Sequence, residues 1–301
     1  NLVVTETSKL NVLKAAFGKR HILDSDGSNC SFKCPNPRCS SHTKNKLKFV
    51  VRLEDSACHC WVCDVRGKSA FWVIKKWAPQ HLDSFKSIYS LEYLDKLTSF
   101  YEESAEKQEK DYELPSDFRL IAELAETGKL YEPDHRAIFK YLLERQVTVS
   151  DMWRYKIGVS SEQGYRRRVL FPSFDKEGKV EFCLSRTINP NAKRKYENHG
   201  KKSSQIVYDE IHVDFSKPVY LFEGVFDLLA SGTNGTALLG SILPRSSKLF
   251  YMLAIERPPV ILCLDPDAKS KEVKIAKLLY EFGIEAKVTP TLTGLVPGSM
   301  S

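Results

Sequence analysis

Glu223, Asp265 and Asp267 are the residues whose types and placement point most strongly to chemistry. Glu223 follows the apolar run Val219-Tyr220-Leu221-Phe222, and Asp265-Pro266-Asp267 follows Val260-Ile261-Leu262-Cys263-Leu264. Continuous apolar runs rich in branched and aromatic residues read as strands buried on both faces of a parallel sheet. In an open α/β sheet, ligands collect at the carboxyl ends of the strands. Three carboxylates gathered there repel one another, and no cationic partner stands beside them in the local sequence. A hard divalent cation, bound through oxygen and completed by substrate phosphates, removes that repulsion. The pattern therefore points to metal-dependent phosphoryl chemistry. Taken alone, the structural reading of Asp265 and Asp267 is a helix-capping turn.

A second set of residues suggests a different metal. Eight cysteines stand at positions 30, 34, 39, 58, 60, 63, 183 and 263. Cys34-Pro35-Asn36-Pro37-Arg38-Cys39 and Cys60-Trp61-Val62-Cys63 form two close pairs, and each pair can aim two thiolates at one point. Two such turns supply a tetrahedral Zn2+ shell. The expected ligands are Cys34, Cys39, Cys60 and Cys63, with His42 as the first substitute. Cys58 and His59 read as ordinary ribbon residues, Cys30 as preceding the site, and Cys183 and Cys263 as strand-interior hydrophobes. A zinc of this kind holds together a segment too small for its own core. Around it, Lys44, Lys46, Lys48, Arg52, Arg66 and Lys68 with His59 and Trp61 make a basic surface bearing stacking groups. That surface suits single-stranded nucleic acid. The alternative is a solvated face without a partner.

The elements that must position these groups follow from patterning. From Lys217 onward the order is β-α-β-α-β-α-β. The expected strands are 219–222, 236–239, 260–264 and 284–288, and the expected helices are 225–232, 246–256 and 271–282. This alternation implies a parallel sheet with covered faces. Upstream, residues 167–172 and 179–186 read as two strands joined by a turn at Asp175-Lys176-Glu177-Gly178. A helix is expected from about 134 to 145, with Ala137, Ile138, Tyr141 and Leu142 on its apolar face. Residues 69–78 read as a short amphipathic helix stopped by Pro79. Residues 81–97 read as weakly helical, and the acidic stretch 98–116 as an exposed helix or a linker. In the small ribbon, residues 47–53 and 58–61 are the expected strands.

Bulk properties agree with a multidomain globular chain. It has 301 residues, 42% hydrophobic and 28% charged, with a formal net charge of +7. Residues 1–80 carry 14 Lys/Arg against 6 Asp/Glu, residues 81–135 carry 6 against 14, and residues 136–301 carry 25 against 18. Two basic blocks thus flank an acidic one, a distribution that suits a polyanionic partner or serves solubility alone. No run approaches the ~20 apolar residues of a membrane helix. No basic segment followed by an apolar core opens the chain, so a secretory signal is not expected and a cytoplasmic location is.

A cysteine ribbon at the N-terminal end, with Glu-Gly and then Asp-x-Asp in a C-terminal sheet, resembles the layout of bacterial-type DNA primases. The sheet resembles the TOPRIM domain that those enzymes share with topoisomerases. Phe32-Lys33-Cys34-Pro35, His59-Cys60-Trp61-Val62-Cys63 and Gly67-Lys68 look like the zinc ribbon of tailed-phage primases. Arg168-Val169-Leu170-Phe171-Pro172, Asp175, Gly178, Ser185-Arg186 and Lys195-Tyr196 resemble the RNA-polymerase core upstream of TOPRIM. Glu223-Gly224-Val225-Phe226-Asp227 resembles the first TOPRIM motif and Asp265-Pro266-Asp267 the second. The resemblance covers nearly the whole chain apart from the acidic segment. It implies four parts: a zinc-binding domain at 1–80, an acidic helical linker at 81–133, the N-terminal subdomain of an RNA-polymerase core at 134–216, and a TOPRIM subdomain at 217–301. The implied fold class is α/β and α+β multidomain.

The same resemblance implies template-directed synthesis of short RNA primers on single-stranded DNA from ribonucleoside triphosphates. Glu223, Asp265 and Asp267 would hold Mg2+ or Mn2+, with Asp227 as a further ligand or an orienting group. Gly224 would permit the tight strand-to-helix turn. Arg168, Arg186 and Lys195 would line a groove for template, nucleotide and primer, and Lys48, Arg52 and Trp61 would take template on the ribbon. A phage-encoded chain would act in the bacterial host cytoplasm. One departure stands out, because the family carries another acid after the next strand, and Thr293-Gly294-Leu295-Val296-Pro297-Gly298-Ser299-Met300 holds none. That favours one alternative, a catalytically weak or inactive nucleic-acid-binding relative; the other is a TOPRIM nuclease or topoisomerase, although nothing marks an active-site tyrosine for the latter. Gly67-Lys68-Ser69 ends like a phosphate-binding loop, but Val62 stands where glycine is required. A replicative helicase is therefore expected as a separate chain, or beyond Ser301.

Overall fold

The computed structural model describes residues 6–106, 112–240 and 242–289. The chain divides into two compact units, 1–100 and 101–301.

The first unit begins with α1 (Glu6–Phe17), followed by a five-stranded antiparallel sheet in chain order: β1 (His21–Leu23), β2 (Asn29–Phe32), β3 (Phe49–Arg52), β4 (Cys58–Cys60) and β5 (Arg66–Gly67). Register fixes which side chains share a face. Phe32 opposes Phe49, Phe49 opposes Cys60, and Val51 opposes both Cys30 and Cys58. All six are buried, so this face is the core side. Phe17 of α1 closes it, with ring centroids 5.7 Å from Phe32 and 5.0 Å from Phe49. Cys30 and Cys58 thus serve as small apolar groups, and burial pushes the Cys58 thiol up to about 12.

The expected helix at 69–78 is α2 (Phe71–Trp77), and Pro79 opens a 3-10 turn after it. Residues 81–97 are firmly helical: α3 (Leu82–Phe85), a π turn at Lys86–Ser90 and the start of α4 (Leu91–Glu106). Phe85, Tyr89, Leu94 and Leu97 are all buried, and that tertiary burial rather than regular spacing explains the strength. Lys9 of α1 is buried too; its Nζ lies 2.7 Å from Glu92 of α4 and donates to the Glu54 carbonyl at 3.1 Å. The acidic stretch is helical through Glu106, inside which the boundary between the units falls.

In the second unit the first sheet is antiparallel, ordered β10-β9-β8-β7-β6. Its strands are β6 (Arg119–Leu120), β7 (Gly158–Val159), β8 (Arg168–Phe174), β9 (Val180–Thr187) and β10 (Tyr196–Gly200). Between β6 and β7 lie α5 (Ile121–Glu126), α6 (Pro133–Glu144) and α7 (Val149–Arg154). Residues 119–126, within the stretch expected as linker, therefore contribute a strand and a helix to this unit. Ile121, Ala122 and Leu124 are buried in its core. The β8–β9 turn forms where Asp175-Lys176-Glu177-Gly178 predicts it, with Gly178 at φ +82°.

The second sheet is parallel, ordered β12-β11-β13-β14. It comprises β11 (Val219–Phe222), α8 (Val225–Ser231), β12 (Gly235–Ala237), α9 (Lys248–Glu256), β13 (Val260–Cys263), α10 (Lys269–Glu281) and β14 (Ala286–Val288). Every expected element appears with its ends displaced by at most two residues. One continuous core joins the two sheets, from Val169, Phe171, Phe182 and Leu184 to Phe222, Val225, Leu228 and Cys263. Among the described residues no helix is long and apolar enough to cross a membrane.

Candidate functional site

The strand order puts a switch point at β11 and β13. The chain leaves β11 for β12 on one side, then crosses back to place β13 on the other. The gap between two such strands, beyond their carboxyl ends, is where open α/β sheets bind ligands. Phe222 pairs with Cys263, so Glu223 lies one residue past its strand and Asp265 two residues past its own. Asp265 has extended backbone at the head of the 3-10 turn Pro266–Ala268, and Asp267 lies within that turn. Asp227 stands in the first turn of α8.

These acids sense one another. The Asp265 carboxyl is held above the usual aspartate range by burial, then by the charges of Glu223 and Asp267, with Lys271 acting against them. Asp227 is raised likewise by burial, then by the charges of Asp265 and Glu223. A cationic partner is present after all: Lys271, in the first turn of α10, donates from Nζ to Glu223 Oε1 at 3.3 Å. It comes six residues after Asp265, where the adjacent sequence gives no sign of it until the 3-10 turn folds the chain back. Glu223 Oε2 is buried without a hydrogen-bond partner.

The residues present fit a hard divalent ion, since the donor set is all carboxylate oxygen and one oxygen is orphaned. Among the described residues the carboxylates are not drawn into a ligand cluster as tight as the cysteines described below. Gly224 is not required by the turn: its φ of −123° suits any residue, and a Cβ there would meet only Asp227 Oδ2, at an ordinary contact distance of 3.4 Å. After β14 comes Thr289, whose hydroxyl lies 3.1 Å from Cys263 Sγ. The segment 293–300, where the resemblance implies a further acid and the sequence has none, lies outside the described residues.

Arg186 sits near this rim. Residues directly opposed across antiparallel strands share a face, so Arg186 lies with Val169 and Tyr196, the core-facing row. Its guanidinium lies 4.5 Å from the Tyr196 ring centroid, and its Nε donates to Tyr141 Oη at 3.3 Å. Arg145, just past α6, lies 5.0 Å from the Phe226 ring and 5.4 Å from the Tyr141 ring. Asp227 follows Phe226, and its charge reaches the Tyr196 phenol, which burial chiefly raises. Tyr141 and Arg145 thus join the carboxylate neighbourhood, although sequence reasoning places Tyr141 only on an apolar helix face. Arg168 pairs with Thr187 on the opposite face and is bound to Glu197 at 2.7 Å. The structure therefore separates Arg168 from Arg186. Lys195 is exposed, directly before β10.

In the first unit, Cys34, Cys39, Cys60 and Cys63 bring their four Sγ atoms within 4.8 Å of one another. Cys34 and Cys63 are 3.6 Å apart, and Cys39 and Cys60 are 3.8 Å apart. A disulfide needs about 2.05 Å. A zinc tetrahedron with Zn–S bonds of about 2.3 Å has S···S edges of about 3.8 Å, so the quartet has the dimensions of a structural zinc shell. Cys39 also receives a contact from Ser41 Oγ at 3.1 Å, a neighbour the cysteine pattern gives no reason to single out. His42 faces away, its Nε2 2.9 Å from the Asn36 carbonyl oxygen, and Cys30 and Cys58 lie outside the quartet.

On the opposite face of the ribbon, Val50 opposes His59, and His59 opposes Arg66. Alternation along β3 adds Lys48 and Arg52 to this face. Trp61 is 71% exposed and packs edge-on to His59 at 4.3 Å. The face is less cationic than its lysine and arginine content suggests. Arg52 is tied to Asp55 at 2.5 Å, and Asp64 binds His59 at 2.9 Å and Arg66 at 3.7 Å.

No protein-family model matches the chain. In sequence it is similar to the DNA primase of Campylobacter jejuni, with 23% identity over 314 residues, covering 87% of this chain and 49% of that protein. The chain thus spans about half the length of that relative. Among solved structures it is similar to the zinc-binding and RNA polymerase domains of the Aquifex aeolicus primase. That match has 21% identity and a TM-score of 0.38, over 94% of this chain and 77% of that one. It is also similar to the RNA polymerase domain of the Mycobacterium tuberculosis primase DnaG. There identity is 17% and the TM-score 0.44, over 57% of this chain and 76% of that one. The resemblance to bacterial primases stands; a particular closeness to those of tailed phages finds no support in these relatives.

Proposed function

We propose that this chain carries the zinc-binding and RNA-polymerase parts of a bacterial-type DNA primase, and that it joins ribonucleotides into short primers on a single-stranded DNA template. The observation that carries the reading is the placement of Glu223 and Asp265 just beyond the paired ends of β11 and β13, at the switch point, where the charge of one raises the carboxyl of the other. The sequence similarity to the Campylobacter primase agrees with it. In this reading residues 1–80 are the zinc-binding part, 134–216 the groove-forming part and 217–301 the TOPRIM part, with 81–133 between the first two.

Divalent ions held by Glu223, Asp265 and Asp267 would neutralise charge on the attacking 3′-oxygen and the departing pyrophosphate. The protein's own residues do the rest. Asp227, in the first turn of α8, orients a ligand or adds one. Arg186, braced between Tyr141 and Tyr196, binds phosphate oxygens of template or nucleotide from one side of the site. Exposed Lys195 extends that grip. Arg168, locked to Glu197, supports the strand pair behind the groove. Alignment of two nucleotides on a template supplies rate through proximity. The ribbon, set by zinc on Cys34, Cys39, Cys60 and Cys63, presents Trp61, Lys48 and Arg52 to unpaired template. A replicative helicase acts as a separate partner, and the reaction takes place in a bacterial cytoplasm.

The test is incubation with single-stranded templates, labelled ribonucleotides and Mg2+ or Mn2+. Short labelled products are expected, and none from the Asp265→Asn/Asp267→Asn double variant. Template cleavage without incorporation would favour a nuclease. Salt-sensitive binding with no product under either metal would favour a non-catalytic relative.

A further inference from the structure

Lys271 is paired directly with a carboxylate of the site, and its position makes a demand on any metal. Its Nζ lies 3.3 Å from Glu223 Oε1, while Glu223 Oε2 has no partner. A divalent ion bound by Glu223 at the usual ~2.1 Å would stand close beside that ammonium. One positive charge must then leave, and the lysine can. Its side chain is 37% exposed and sits on a flexible four-carbon stem.

We infer that Lys271 is a resident counter-ion: it pairs with Glu223 until a divalent ion arrives, and is then displaced toward a phosphate of the nucleoside triphosphate. The inference rests on the primase reading of the carboxylate site and adds an order of events to it. The destination follows from placement. Lys271 lies one helical turn beyond Asp267, at the start of α10, where the helix end is itself electropositive. Glu223 and Asp265, the two carboxylates on which the Lys271 charge acts, are both taken by the metal, and the triphosphate then offers it anionic oxygen. Lys271 is thus a positioning residue with two alternating partners. It lowers metal affinity in the absence of nucleotide and raises nucleotide affinity in the presence of metal.

Two opposite shifts test this. Mn2+ binding is counted by the loss of the free-ion paramagnetic resonance signal, first with no nucleotide. Lys271→Met is expected to tighten Mn2+ by roughly two- to fivefold, the scale of a partly exposed ion pair. With Mn2+ saturating, ATP affinity is expected to weaken in the same variant, and Lys271→Arg to restore it in part. A lysine that merely supported the fold would loosen both equilibria together or neither. Unchanged or weaker Mn2+ binding in Lys271→Met overturns the inference, as does unchanged ATP binding. Wild-type protein and Asp265→Asn are run alongside. If the wild type binds no Mn2+, or Asp265→Asn binds it equally well, the reading of the carboxylate site fails instead.

Discussion

Lys248→Met removes a lysine that serves two buried carboxylates. Lys248 Nζ lies 2.6 Å from Glu210 Oε2 and 4.0 Å from Glu181 Oε1. Both glutamate side chains are only 4% exposed, and Glu181 keeps a second partner, Lys201, at 3.2 Å. Burial raises the Glu181 carboxyl, and Lys248 and Lys201 oppose that rise. The gross attraction is about 6 kcal/mol for the shorter pair and about 4 for the longer at an effective dielectric of about 20. Most of this only offsets the cost of desolvating the charges. Removing one partner of a buried pair costs about 3–5 kcal/mol, and a lysine still partly in water belongs near 3.

The loss also has a sign in pH. Glu181 has its folded pKa above the unfolded value. Its contribution is therefore favourable at low pH and lost as pH rises through the folded pKa. Without Lys248 that pKa climbs further. The defect should be full near neutrality and shrink toward the ordinary glutamate value of 4.5. Native-state hydrogen exchange of the β8 and β9 amides reads the second unit alone. A loss of about 3 kcal/mol near pH 7 is expected, most of it gone at low pH, with recovery in Lys248→Met/Glu210→Gln. A defect of equal size at both pH values, unrelieved by the second substitution, would mean that packing and not charge holds α9 to the antiparallel sheet.

Asp265→Asn should stabilise the metal-free protein near neutrality, because the raised Asp265 carboxyl costs stability once ionised; the gain should fade toward pH 3.8, and thermal unfolding at both ends measures it. Cys60→Ser should abolish bound zinc by elemental analysis and strip exchange protection from β3 and β4 while β11 and β13 keep theirs. Zinc binding in such sites is folding free energy of about 10 kcal/mol or more. Trp61→Ala should leave the fold intact, since the ring is 71% exposed. It should weaken single-stranded DNA binding by about 1–3 kcal/mol per stacked base; equal affinity at low salt would remove the ribbon face from the template path.

What could be read from the sequence was whatever is encoded by local pattern. Of the four parallel strands, β11 and β13 are legible because burial on both faces demands unbroken apolar runs, and Glu223 and Asp265 mark where those runs stop; β12, Gly235-Thr236-Ala237, and β14, Ala286-Lys287-Val288, carry no such run and are placed by the alternation of strands and helices around them. The cysteine quartet is legible because close pairs constrain geometry over a few residues. The rest depends on chain reversal and register. Lys271 reaches Glu223 only through the 3-10 turn after Asp265. Arg168 and Arg186 look equivalent as strand arginines, yet the one-residue offset Arg168–Thr187 against Val169–Arg186 sends them to opposite faces. Tyr141 reads as apolar filling until β9 brings Arg186 to its hydroxyl. Residues 81–97 read as only weakly helical because the five-residue step from Tyr89 to Leu94, which leaves the π turn, breaks the three-and-four spacing of a regular apolar face.

The most direct measurement is anomalous diffraction at the manganese edge from crystals grown with Mn2+. The expected result is a peak within about 2.3 Å of carboxylate oxygens from both Glu223 and Asp265, absent from Asp265→Asn crystals. Saturating Mn2+ with no peak between the ends of β11 and β13, or a peak that survives the substitution, would contradict the account.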